Sequence, residues 1–168
     1  MSPDDLRNIR VMFFDFDGVF TDNRVIVSEA GSESVVCSRS DGIGISRLKE
    51  VGVENIVVSA EKNIVVQERC KKLNIECFHG ISDKWHLVDE QIKIRKLKPE
   101  HCGFMGNDIQ DIESMKAVGF SVAVNDAYKE VLEVAKYVTK NKGGYGAVRD
   151  ICDLIYAAQK LKLPLSKF

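Results

Sequence analysis

The chain has 168 residues, enough to enclose a core of its own and the length of one domain, 1–168. Hydrophobic residues at 45% and charged residues at 29% exclude disordered and fibrous classes, and a formal net charge of -1 supplies no field for nucleic acid or an anionic bilayer. No apolar run reaches membrane length, the opening MSPDDLRNIR has no signal-peptide core, and five cysteines form no CxxC pair, so the chain reads as cytoplasmic with reduced thiols.

Val11-Met12-Phe13-Phe14 is a short apolar run that stops in carboxylates, the pattern of a buried parallel strand ending at a site. Residues 24–38 read as two short strands about a Glu29-Ala30-Gly31-Ser32 turn, a small hairpin. Asp41 is positioned to cap a helix that runs through Leu48 and closes near Gly52. Ile56-Val57-Val58-Ser59 is the next strand, followed by a helix from about Asn63 to Leu73 and a short strand at Cys77-Phe78. Ser82 or Asp83 starts a long helix reaching about Lys96. A strand from His101 to Met105, a helix from Ile109 to Val118 and a strand from Phe120 to Val124 follow. A helix near 127–135, a strand at Tyr137-Val138-Thr139 and a helix from Ala147 to about Leu161 complete the chain. Strands alternating with helices predict an α/β fold: a three-layer parallel sheet with helices on both faces.

In such a sheet the ligand sits beyond the carboxyl ends of the strands, so the residues that follow each strand are the informative ones. After the first come Asp15, Asp17 and Gly18; the second ends at Ser59; Lys84 opens the helix after the third; the fourth ends in Gly106-Asn107-Asp108. Singly these are ordinary: a loop carboxylate, a turn serine, a solvated lysine, a capped turn. Together they form a polar set suited to a hard cation and a phosphoryl group. His79, His86 and His101 are scattered and make no zinc constellation with the cysteines.

The stretch Asp15-Phe16-Asp17-Gly18-Val19-Phe20-Thr21-Asp22 resembles the first motif of haloacid dehalogenase phosphatases, and Ser59, Lys84 and Gly106-Asn107-Asp108 fall at their second, third and fourth. The likeness spans the chain. It is closest to the small branch of octulosonate 8-phosphate phosphatases, nine-carbon sugar acid 9-phosphate phosphatases and the C-terminal module of some acylneuraminate cytidylyltransferases. Gly143-Gly144-Tyr145-Gly146-Ala147-Val148-Arg149 is similar to that branch too.

The resemblance implies a nucleophilic Asp15, an acid–base Asp17, and Ser59 and Lys84 as further catalytic groups. Asp15, Asp17, Asn107 and Asp108 would hold Mg²⁺, and Gly18, Asp41, Gly42, Glu61 and Arg69 would form the substrate-binding set. Asp22 reads as a turn cap and Asp111 as a residue that orients Lys84 or a water. The fourth motif ordinarily begins Gly-Asp; Asn107 stands there and brings a carbonyl oxygen without charge. Glu61 stands where the eight-carbon enzymes carry arginine, which leans the expected substrate toward a nine-carbon 9-phosphate, with octulosonate 8-phosphate as the alternative. A weakly active oligomerisation module is a further alternative, supported by Asn107 alone. A phospho-acceptor receiver domain is excluded, because it needs an aspartate where Cys77-Phe78-His79 stands. Residues 23–58 and 85–105 leave no room for a cap domain beside their own core elements. The site is therefore expected to be open unless the 24–38 hairpin or a neighbouring copy covers it, and the resemblance implies a homotetramer that supplies such a wall.

Overall fold

The structure, a computed structural model, describes residues 6–161, without the side chain of Leu161. Residues 1–5 of the opening stretch read for a signal core lie outside the described residues, as do residues 162–168.

A six-stranded sheet, entirely parallel, organises the chain, its strands lying side by side in the order 76–78, 54–58, 11–14, 102–106, 120–123 and 137–138. β1 (Val11–Phe14) lies at its centre and is buried along its whole length, because a parallel strand covered on both faces needs an unbroken apolar run. β4 (Glu54–Val58) and β5 (Glu76–Phe78) extend the sheet to one side. β6 (Cys102–Gly106), β7 (Phe120–Ala123) and β8 (Tyr137–Val138) extend it to the other. The chain thus winds outward in both directions from β1. The carboxyl ends of β1, β4 and β6 surround the switch point where such sheets bind ligands.

Helices cover the two faces. α1 (Arg39–Glu50) packs along α6 (Ala147–Tyr156), which continues through a π-helical turn at Ala157–Leu161. α2 (Val65–Leu73) lies on β5, while α3 (Lys84–Ile94), α4 (Ile112–Ala117) and α5 (Lys129–Val134) form a contiguous group. The expected continuous helix over 109–118 is split: a 3₁₀ turn at Ile109–Asp111, capped by Asp108, precedes α4. The hairpin forms as a separate two-stranded ribbon of β2 (Ile26–Val27) and β3 (Glu33–Ser34), closed where Ser28 N donates to Ser32 O at 2.9 Å.

One expectation is corrected here. Ser38, not Asp41, caps α1, its hydroxyl accepting from Ser40 N at 3.2 Å. Asp41 sits inside the first turn, fully buried, and its Oδ1 accepts from Arg149 N at 3.1 Å. That amide belongs to the first turn of α6, where free N–H groups and the helix dipole favour a carboxylate. Asp41 therefore tethers one helix to the start of another.

Candidate active site

The loop after β1 is pinned by aromatic burial. Phe16 and Phe20 are buried and stack with ring centroids 5.8 Å apart, and Phe14 meets Phe20 edge-on at 5.7 Å. With Phe16 directed into the core, its neighbours Asp15 and Asp17 face the opposite way, into a cavity of about 400 Å³ at the carboxyl edge. The ladder continues one residue past β1 where Asp15 N donates to Met105 O at 2.9 Å, which fixes the aspartate's position against β6.

Lys84, buried at the start of α3, bridges two carboxylates: its Nζ is 2.8 Å from Asp15 Oδ1 and 2.7 Å from Asp111 Oδ1. Asp111 Oδ2 accepts from Asn107 N at 2.9 Å and Asp108 N at 3.2 Å, so the loop after β6 is tied to the same carboxylate. Gly106 permits this approach, since a methyl there would lie 2.4 Å from Asp111 Oδ2. Ser59 N donates to Phe78 O at 2.8 Å, and the buried Ser59 hydroxyl accepts from Glu61 N at 3.1 Å.

On the other side of Asp15 three oxygens converge. One end of the Asn107 amide lies 2.9 Å from the Asp17 carbonyl oxygen and 3.2 Å from Asp15 Oδ2; without a cation Nδ2 turned to this side would donate to both, and with a cation between them Oδ1 takes that place. Oxygens in such contact repel unless something positive lies between them. Neighbouring ligands of an octahedral Mg²⁺ with bonds of about 2.1 Å are about 3 Å apart. The donor set, one carboxylate, one backbone carbonyl and one amide oxygen, fits magnesium in number and hardness. Asp108 lines the cavity, but its carboxylate is engaged as the cap of the 3₁₀ turn, accepting from Ile109 N at 2.6 Å.

Burial is the main force on the two aspartates. It pushes Asp15 up to about 7, helped by the Asp111 charge and opposed by Lys84. Asp17 is raised by burial and then by the Glu61 carboxylate, with the Thr21 hydroxyl pulling the other way. For Lys84, burial favours the neutral amine, but Asp15 and Asp111 outweigh it and hold the ammonium charged to higher pH than usual. Both aspartates of the metal-free site therefore hold their protons to higher pH than usual, and only Asp15 has the Lys84 ammonium directly against it to stabilise its charge.

The cavity thus joins Asp15, Asp17, Ser59, Glu61, Lys84, Asn107 and Asp108. Asp41, Gly42 and Arg69 are not brought to it. Asp41 is sealed between helices, whereas Gly42 and Arg69 line a separate cleft with Arg39 and Lys72, and Arg69 Nη2 donates to Ser38 O at 2.8 Å. Gly18 adjoins the site, but its amide donates to Thr21 Oγ1 at 3.1 Å instead of facing the cavity. Asp22 pairs with Arg24 and accepts from its amide, as a turn residue does. Four lining residues were not among the expected site residues: Asn23, Ala60, Lys62 and Gln110. Lys62 and Gln110 follow Glu61 and precede Asp111, so proximity to the motifs was the available signal. Asn23 is left-handed at φ 63°, which no periodicity announces.

Residues 53–150 match the model of the haloacid dehalogenase-like hydrolases. The chain is 36% identical over 153 residues to the 3-deoxy-D-manno-octulosonate 8-phosphate phosphatase KdsC of Yersinia pestis, covering 90% of this chain and 82% of that protein. The solved Yersinia pestis phosphatase superposes with a TM-score of 0.92 at 34% identity, covering 97% and 89% of the two chains. That of Moraxella catarrhalis, solved with a magnesium ion, a phosphate ion and a KDO molecule, superposes at 0.91 with 28% identity over 94% and 91%. The lean to a nine-carbon substrate finds no support among these relatives. Its premise also weakens locally, because Glu61 Oε1 is engaged by the amides of Lys62 and Asn63 at 2.6 and 2.7 Å. With the motif residues at the switch point of the sheet and no cap domain among the described residues, the chain belongs to the haloacid dehalogenase-like hydrolases, as a magnesium-dependent phosphomonoester hydrolase.

Proposed function

We propose that this hydrolase removes the terminal phosphate of a keto-deoxy sugar acid, with octulosonate 8-phosphate as its substrate. The observation that carries the reading is Asp15 held between the Lys84 ammonium and the converging oxygens of Asp17 and Asn107. The substrate class rests on the relatives, which cover most of this chain and are named for it.

In this reading the Asp15 carboxylate attacks phosphorus while the bond from phosphorus to the sugar oxygen breaks, leaving an aspartyl phosphate. Asp17, whose proton burial and Glu61 retain, passes it to the departing alkoxide and then takes one from the water that hydrolyses the acyl phosphate. Mg²⁺, held by Asp15, Asn107 and the Asp17 carbonyl, would lower the repulsion between an anionic nucleophile and a phosphate dianion. Lys84 does the same from the opposite side, and Asp111 keeps it there. Ser59 lies within the cavity to receive a phosphate oxygen.

An open cavity cannot by itself exclude water from a sugar phosphate. The hairpin beside it exposes Val25, Ile26, Val27 and Val36, each more than half accessible, a larger apolar cluster than isolated surface residues explain. We infer that a second copy covers this cluster in a homotetramer and walls the site. The assay is phosphate release from a panel of sugar phosphates with Mg²⁺. Octulosonate 8-phosphate is expected to give the highest kcat/KM, and Asp15→Asn to lower it by at least about 10³-fold with the fold intact. Efficient turnover by folded Asp15→Asn protein would falsify the mechanism. A clear preference for a nine-carbon 9-phosphate would overturn the substrate alone.

A further inference from the structure

Gly143 and Gly144 lie behind the loop that carries Asp17, not in the cavity. A methyl on Gly143 would fall 1.9 Å from Gly18 O and 2.6 Å from Gly18 C, so backbone presses directly on backbone. Gly144 N donates to Val19 O at 3.0 Å, which fastens the two loops together. Gly18 is gripped from its other side: a methyl there would lie 2.0 Å from Asn107 Nδ2. Gly143, Gly18 and the Asn107 amide are therefore stacked in contact. The peptide linking Asp17 to Gly18, whose carbonyl is one of the three converging oxygens, lies within that stack.

Both sides of the stack are anchored in one short segment after β7. Asp126 Oδ1 accepts from Gly143 N at 2.9 Å, and Tyr128 N donates to Asn107 O at 3.0 Å. The segment is itself fixed to the end of β8, since Asn125 N donates to Thr139 Oγ1 at 3.1 Å and Thr139 N to Ala123 O at 3.0 Å. Close-packed backbone has no slack, so a displacement at Gly143 passes to Gly18 and from there to the spacing of Asp17 O and Asn107 Oδ1.

We propose that Gly143, held by Asp126, is the backstop that sets the spacing of the oxygens forming the cation site, both acting as positioning residues. This rests on the cation reading of those oxygens. Ligand oxygens must sit near ideal octahedral positions for Mg²⁺, so small displacements affect its affinity more than that of a looser cation. Gly143 is not left-handed, so Gly143→Ala adds a methyl without backbone strain of its own. Asp126→Ala removes the acceptor of Gly143 N, whereas Asp126→Asn keeps an oxygen in that place.

The test is calorimetric titration of magnesium chloride into the full metal-free chain, with the metal-free unfolding midpoint measured alongside. Gly143→Ala is expected to weaken Mg²⁺ binding by roughly tenfold or more, the range found when groups behind metal ligands are altered. Asp126→Ala should weaken it in the same direction, and Asp126→Asn should restore it, with metal-free midpoints close to that of the unsubstituted chain. Folded Gly143→Ala protein with unchanged Mg²⁺ affinity overturns the proposal. If that variant does not fold, Asp126→Ala decides: unchanged affinity overturns the proposal, and a loss rescued by Asp126→Asn supports it. Absence of Mg²⁺ binding by the unsubstituted chain would overturn the cation reading itself.

Discussion

Asp15 and Asp17 are two residues apart and differ in environment more than in position. Asp15 has an ammonium at 2.8 Å to compensate its charge, while Asp17 is half-buried with Glu61 as a like-charged neighbour. In the proposed mechanism Asp15, beside the ammonium, is the nucleophile and Asp17 is the acid. A direct consequence concerns the leaving group. A sugar alkoxide needs a proton as it departs, whereas p-nitrophenolate leaves without one. Asp17→Asn should therefore lower kcat/KM for the sugar phosphate by about 10²–10⁴-fold and that for p-nitrophenyl phosphate much less, since kcat/KM reports the phosphoryl-transfer step. The sugar phosphate rate should also decline as pH rises through the Asp17 pKa, because the proton is then lost, while the p-nitrophenyl phosphate rate lacks that decline. Equal losses on both substrates would remove Asp17 from the role of acid.

Among the elements, the hairpin has the least support from its own chain. Its two-residue strands pair only with each other, and a ribbon of that size is marginal in isolation. One hydrogen bond, Asn63 Nδ2 to Glu33 Oε2 at 2.8 Å, links it to the loop that carries Ser59 and Glu61. A covering copy would both hold the ribbon and stabilise that loop. Ile26→Asp combined with Val36→Asp should reduce the mass measured by light scattering and raise KM for the sugar phosphate, leaving far-UV circular dichroism unchanged. A native mass that is already monomeric at full activity would refute the assembly. α1 shows how an element's ends depend on its neighbours. Ser38 and Asp41 are both good N-terminal residues, and only the packing of α6 against α1 assigns Ser38 the cap and Asp41 the tether.

For the molecule as a whole, the site is held at a charge imbalance that metal relieves. Asp15 is raised to about 7 and Asp41 to about 6, both chiefly by burial, so between pH about 4 and 7 the folded chain binds protons that the unfolded chain has released. Stability of the metal-free protein on this account falls as pH rises through that window. In the proposed site Mg²⁺ would take the place of the Asp15 proton, competing with it at pH about 5.5 but not at pH about 8. Saturating Mg²⁺ should therefore raise the unfolding temperature more at the higher pH. An equal or larger rise at the lower pH would contradict it. The parallel sheet and the site's main residues could be read from the chain because each strand is an apolar run ending in a chemical group, and a parallel sheet brings such ends to one edge. Asp15, Asp17, Ser59, Lys84 and Asn107 followed from order along the chain alone. The sealing of Asp41, the separation of Gly42 and Arg69 from the cavity and the contact of Gly143 with Gly18 did not. Each depends on which surfaces meet when helices pack on the sheet, and contacts between segments far apart in the chain leave no periodic trace in sequence.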